Sequence, residues 1–222
     1  MPGRKVELVT GEYYHVYNRS IARVQIFREK REYRRFVDLL KYYRFGGGKM
    51  PLSSYKKLSD ERREQVWEDI QAGINEVTVC AYSIMPNHFH LLLRQDIDGG
   101  VSRYIGNAQN GYAKYLNICR KRTGSAFQQR FRAIRVEDDD QAMQLIRYIY
   151  LNPVSAGLCT MDELKEYEWT SLPECLGNRT DNFVDNTLVN GYFKNREEMI
   201  EYLTNQVAYS MERRRIKRDL EK

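Results

Sequence analysis

The chain is poor in the residues that most sharply narrow a function. Its four cysteines, Cys80, Cys119, Cys159 and Cys175, are scattered over 222 residues and form no Cys-x-x-Cys pair. Neither a zinc ribbon nor a disulfide framework is indicated by that spacing, and free, mostly buried thiols are the expectation. No stretch approaches the roughly 18 consecutive apolar residues of a membrane span. Met1-Pro2-Gly3-Arg4-Lys5 also lacks the apolar centre of a signal peptide. These absences predict a cytoplasmic protein with no membrane partner. There is no internal repeat or low-complexity segment, and only three histidines occur in the chain.

What the chain does contain is charge and tyrosine. Hydrophobic residues make up 42% and charged residues 30%, enough apolar material for a core and too much for wholesale disorder. The length fits one large domain, or one domain with additions. Lys plus Arg number 36 against 30 Asp plus Glu, a formal charge of +6, and 17 Tyr stand beside 8 Phe and 2 Trp. Cations that attract phosphates, interleaved with rings on which unpaired bases stack, suit a nucleic-acid partner. Tyrosine also fills half-buried surfaces and +6 is modest, so composition leaves both readings open.

Hydrophobic period places the elements. Tyr13-Tyr14-His15-Val16-Tyr17 reads as a first strand leaving into the turn Asn18-Arg19-Ser20. Tyr33, Phe36, Val37, Leu40 and Tyr43 recur at helical steps within a helix over about 31–43, which the Gly46-Gly47-Gly48 run breaks. A second helix starts at Ser59 as N-cap, with Val66, Ile70 and Ile74 in step. Val77 to Ile84, the turn Met85-Pro86-Asn87 and His88 to Arg94 predict a β-hairpin. A helix over about 101–120 carries Tyr104, Ile105, Ala108, Tyr112, Tyr115 and Leu116, and Phe131 to Val136 reads as a strand. Asp138 to Asp140 cap a helix running to about Leu151, which Pro153 is expected to end. Short helices are expected around Trp169, Leu172 and Leu176 and over 197–207. The charged tail from Met211 reads as a fraying helix end, its Arg213, Arg214, Arg215, Lys217 and Arg218 within reach of phosphates.

Strand alternation sends His88 and His90 to one face of the hairpin and Phe89, Leu91 and Leu93 to the other. Two imidazoles about 7 Å apart along a strand can grip one divalent cation. With a two-residue hairpin loop, Ser83 and Met85 share the histidine face and Cys80 lies on the core face, which weakens a Cys-His zinc site. Asn152 offers an amide oxygen as a third ligand, a donor set better suited to Mg²⁺ or Mn²⁺ than to closed zinc. Tyr148 lies four residues before Asn152, hence on the same helix face, whereas Tyr150 points away. A phenol is a poor nucleophile at neutral pH, but a cation that polarises a phosphodiester helps its attack. The resulting phosphotyrosine conserves the bond energy, so a strand can be rejoined without an external energy source. The alternative for Tyr148 is a core residue on an amphipathic helix.

Four segments in order resemble one family. They are Tyr14-His15-Val16 with Asn18-Arg19-Ser20, Met85-Pro86-Asn87-His88-Phe89-His90-Leu91-Leu92, Gly124 to Phe131, and Tyr148-Ile149-Tyr150-Leu151-Asn152-Pro153 continuing to Leu158. They resemble the REP-associated tyrosine transposases, in the single-tyrosine branch of the HUH endonucleases, over about residues 13–171. The resemblance implies an α/β, ferredoxin-like or RRM-like fold, with helices packed on one face of an antiparallel sheet and a helix presenting the tyrosine. It also implies metal-dependent cleavage of single-stranded DNA beside a hairpin. By that likeness His88, His90 and Asn152 hold Mg²⁺ or Mn²⁺, and Tyr148 becomes linked to a 5′ phosphate. The free 3′ hydroxyl then attacks in the reverse step. Nucleoid association would follow from such a role.

Arg19, Arg103, Lys114, Arg130 and Arg132 are the candidates for holding DNA, with Arg130 favoured in Gln129-Arg130-Phe131. His15 is taken as structural or DNA-adjacent rather than as a ligand. A transposase-like domain is expected over 1–176, with an insertion at about 46–75 that carries the second helix, and a basic helical extension over 177–222. Monomer and homodimer both remain open. Two further readings compete with the nuclease: a non-catalytic nucleic-acid-binding module derived from a transposase, and a zinc-stabilised structural protein.

Overall fold

The alternation in Tyr13-Tyr14-His15-Val16-Tyr17 gives one of the two middle strands of the sheet. The structure is a computed structural model, and it describes residues 7–46 and 50–205. Its elements run β1 (Tyr13–Arg19), α1 (Lys30–Tyr43), α2 (Leu52–Tyr55), α3 (Asp60–Gln71), β2 (Val77–Met85), β3 (His88–Gln95), α4 (Gly100–Cys119), β4 (Arg132–Arg135) and α5 (Asp139–Ser155), then α6 (Met161–Leu164), α7 (Leu172–Cys175), α8 (Thr187–Gly191) and α9 (Arg196–Thr204). The strands lie in the order β2-β3-β1-β4, each pair antiparallel. This is the mixed α/β architecture that the sequence resemblance implies. The expected phosphate contacts of Arg213, Arg214, Arg215, Lys217 and Arg218 lie outside the described residues.

Each strand sends alternate side chains to opposite faces. Tyr14, Val16, Tyr82, Ile84, Phe89, Leu91 and Leu93 enter one core, shared with Phe36 and Leu40 of α1 and Tyr104, Ile105 and Ala108 of α4. Phe36 sits 5.2 Å, centroid to centroid, from both Phe27 and Phe89. Each such aromatic pair adds about 0.5–1.5 kcal/mol beyond its buried area. Gly100 begins α4 against the start of β2, where a Cβ would stand 2.2 Å from the Glu76 carbonyl oxygen, so only glycine allows that approach.

The other face of the sheet is covered in part. Ala81 and Leu92 pack there against Leu145, Ile146, Ile149 and Tyr150 of α5, with Val189, Met199 and Leu203 completing this second core. Helices α1 and α4 thus cover one face and α5 lies across the other, so helices pack on both faces and not on one as the resemblance implies, because α5 buries its own apolar side chains against Ala81 and Leu92. The hairpin loop has two residues, and Met85 pairs with His88 and Ser83 with His90, on the histidine face as expected. Cys80 departs from expectation: a register shift between Val79 and Ala81 breaks the alternation and places it in the second core.

Two boundaries also differ. Pro153 does not end α5, which runs to Ser155. Lying in the last turn, it forfeits only its own N–H bond, and Ala156 N–H on the Asn152 carbonyl and Leu158 N–H on the Pro153 carbonyl close the end. Ile74 lies beyond α3 and is 70% exposed, so it does not continue the stripe of Val66 and Ile70. An isolated bridge between Phe45 and Asn75 brings the chain back to the point from which α2 and α3 depart.

Candidate active site

Strand register assembles the site. Tyr17 pairs with His90, Arg19 with His88 and His15 with Leu92, so the side chains of His15, Tyr17, His88 and His90 share the sheet face that α5 crosses. Asp138 accepts the Gln141 backbone N–H at 2.7 Å and fixes the start of α5. From there α5 brings Tyr148 over β3, where its hydroxyl lies 3.5 Å from His90 Nε2 and its ring meets the His90 ring edge-on at 5.1 Å. Asn152, one turn on, faces the same cleft.

That cleft has a volume of about 660 Å³ and is lined by Tyr17, Asn18, Arg19 and Arg23, by His88 and His90, by Gln128 and Arg132, and by Tyr148, Asn152 and Ser155. Sequence reasoning therefore placed His88, His90, Tyr148, Asn152, Arg19 and Arg132 where the structure brings them together. Arg130 is exposed, between the lining residues Gln128 and Arg132, but is not itself part of the lining. Arg103 and Lys114 are not brought to the cleft. Both belong to α4, which packs on the opposite face of the sheet, and Arg103 Nε bonds Glu76 at 3.0 Å.

Arg23 went unforeseen because its position depends on a turn. Ala22 and Arg23 have φ of 55° and 57°, left-handed values that ordinary side chains rarely adopt. The hairpin loop holds that turn: Ser20 N–H donates to the Asn87 carbonyl, Ile26 and Phe27 N–H to the Pro86 carbonyl, and Asn87 Nδ2 to the Arg23 carbonyl. Asn18 is 3% exposed and donates Nδ2 to the Gln128 carbonyl, drawing the 124–130 loop onto the end of β1.

Burial governs the electrostatics of the histidines. It lowers His15 to about 3. It lowers His88 to about 4, aided by the Arg19 cation, and puts His90 well below its ordinary value, helped by His88, His15 and Arg19. All three imidazoles are therefore neutral at pH 7, the form that binds metal. Burial raises Tyr17 against the opposing Arg132 and Arg19 cations, so it stays a neutral phenol.

The donor set fits a divalent cation. His88 Nδ1 lies 2.6 Å from Asn87 Oδ1, while the Asn87 amide nitrogen donates to the Arg23 carbonyl. An amide oxygen only accepts, so His88 carries its proton on Nδ1 and keeps the Nε2 lone pair. His90 Nδ1 is likewise engaged, by His15 Nε2 at 2.9 Å. Asn152 Nδ2 donates to the Tyr148 carbonyl at 2.8 Å, which leaves its Oδ1 as the acceptor end. Two imidazole nitrogens and an amide oxygen are donors a divalent cation can use, the oxygen being the one that suits Mg²⁺ or Mn²⁺. Among the described residues no group of three or more His, Cys, Asp and Glu side chains is arranged to hold a metal.

The chain is similar to known proteins over part of its sequence and in its fold. Residues 53–152 match the family model described as "Transposase IS200 like", a span that includes His88, His90, Tyr148 and Asn152. The solved structure of a REP-associated tyrosine transposase bound to a REP hairpin shares the fold with a TM-score of 0.51, at 13% identity, over 85% of this chain and 96% of that one. No curated protein matches the chain in sequence. Among the described residues no helix is long and apolar enough to cross a membrane. The chain resembles the REP-associated tyrosine transposases in its motifs and in its fold.

Proposed function

We propose, from the premise of that IS200-like pattern and shared fold, that the protein is a metal-dependent endonuclease and strand transferase acting on single-stranded DNA beside hairpins. The observation that carries the reading is the approach of Tyr148 Oη to His90 Nε2 at 3.5 Å, in a cleft lined also by His88 and Asn152. A residue 58 positions away in sequence is brought onto the sheet histidines, and the cleft beside them is lined by cations.

His88, His90 and Asn152 would hold Mg²⁺ or Mn²⁺, which when bound polarises the scissile phosphate and stabilises its developing charge. Arg19 at the end of β1, Arg132 at the start of β4 and Arg23, all lining the cleft, hold the flanking phosphates. Tyr148 Oη gives its proton to solvent water on the open side of the cleft and attacks phosphorus. A bond forms between Tyr148 and the 5′ phosphate, the bond from phosphorus to the 3′ oxygen breaks, and that oxygen takes up a proton. In the reverse step a 3′ hydroxyl attacks the phosphotyrosine and releases Tyr148. Burial of His15 and His90 excludes water behind the tyrosine, while the open side of the cleft admits the strand.

Hairpin-bearing single-stranded DNA from the regions flanking the gene, incubated with Mg²⁺ or Mn²⁺, tests the reading. Cleavage leaving a free 3′ hydroxyl is expected, and it should disappear in Tyr148→Phe. Equal cleavage by that variant would refute it.

A further inference from the structure

We infer that His15 is a positioning residue, whose Nε2 accepts the Nδ1 proton of His90 and so keeps the Nε2 lone pair of His90 aimed at Tyr148 and the cleft. His15 and His90 are 4% and 3% exposed. Their nitrogens meet at 2.9 Å, with the ring centroids 5.1 Å apart and the ring planes inclined by 26°. His15 reaches His90 from the neighbouring strand, on the side away from the Tyr148 hydroxyl, which contacts the other nitrogen.

A contact between two neutral imidazole nitrogens carries one proton. Held by His15, it would leave His90 with its own proton on Nε2, directed at Tyr148, and no lone pair facing the cleft. Held by His90 on Nδ1, it leaves that lone pair available. His88 is already in the equivalent state, because Asn87 Oδ1 can only accept. The two histidines of β3 are thus set alike by different partners, an amide for one and an imidazole for the other. Such partners of metal-binding histidines fix both tautomer and ring orientation.

The consequence for metal affinity rests on the reading given under Proposed function, whereas the tautomer does not. The test has two arms. Long-range proton–nitrogen NMR on the full, metal-free chain should show His90 protonated on Nδ1. A proton on Nε2 would overturn the inference, whatever the protein does with metal. In the second arm Mn²⁺ binding is titrated by electron paramagnetic resonance. His15→Phe keeps the aromatic packing but removes the acceptor, and should weaken binding about 10–100-fold. His15→Gln restores an acceptor oxygen and should recover most of the loss. A merely structural His15 predicts the opposite order, with Phe tolerated and Gln not, and that result would overturn the inference. His90→Ala separates the two claims: wild type that binds Mn²⁺ no better than His90→Ala would refute the metal site, while the NMR arm still decides the role of His15.

Discussion

Removing one arginine from the cleft should change the salt dependence of DNA binding by a calculable step. Among the described residues three cations line the cleft, Arg19, Arg23 and Arg132. Each phosphate neutralised on a single strand contributes about −0.7 to the slope of log K against log salt, so the three together contribute about −2. Between about 50 and 200 mM salt that share of the affinity falls roughly 20-fold, and with one arginine gone roughly 7-fold. The assay is fluorescence anisotropy on a hairpin with a single-stranded flank, in a Tyr148→Phe background that prevents cleavage. Arg19→Ala, Arg23→Ala and Arg132→Ala should each flatten the slope by about 0.7. Arg103→Ala and Lys114→Ala, on the far side of the sheet, should leave it unchanged. Equal flattening by the far-side variants, or none by the cleft variants, would refute the assignment of this face to DNA.

Other perturbations read different links in the account. His88→Ala or His90→Ala should abolish cleavage while hairpin binding stays within a few-fold of wild type; undiminished cleavage removes the metal site from the mechanism. Glu32 is 3% exposed and accepts the Arg28 backbone N–H at 2.6 Å and Arg120 Nη2 at 2.7 Å. Burial pushes its carboxyl up, but the backbone N–H groups and the Arg120 guanidinium outweigh that and hold it below the usual range. Arg120→Ala should therefore cost about 3 kcal/mol, the low end for breaking a buried pair, because the backbone bonds remain. At about 2–4 °C per kcal/mol this lowers Tm by about 6–12 °C. A lowered folded pKa stabilises above the unfolded value of about 4.3 and loses that contribution as pH falls through the folded value, so calorimetry should show the gap narrowing in acid. Gly100→Ala must displace the Glu76 carbonyl and should cost about 1–3 kcal/mol by denaturant titration; wild-type stability would contradict the close approach.

The hairpin was legible because its two signals coincide: alternation across His88 to Arg94, and turn residues at Pro86 and Asn87 between strand formers. The stripe of α1 was legible for the same reason, since Tyr33, Phe36, Val37 and Leu40 keep helical period and are all buried. The joining of Tyr148 and Asn152 to the histidines came from helix spacing combined with motif likeness. What stayed hidden depends on tertiary placement. The bulge that moves Cys80 into the second core leaves no mark in composition. Pro153 suggested a helix end because a proline's cost depends on how many turns follow it. Arg103 and Lys114 are basic residues on a helix, and the sequence does not say which face of the sheet that helix covers. Arg23 reaches the cleft through two left-handed residues held by a distant loop, and His15 acquires its contact with His90 only when β1 and β3 pair.

The most direct test of the central claim is covalent trapping on a denaturing gel, with peptide mapping of the product. Hairpin-bearing single-stranded DNA and Mg²⁺ or Mn²⁺ should give a protein–DNA adduct whose 5′ phosphate maps to Tyr148, absent without metal and absent in Tyr148→Phe. An adduct that persists in Tyr148→Phe, or no adduct while the hairpin is bound and metal is present, would contradict it.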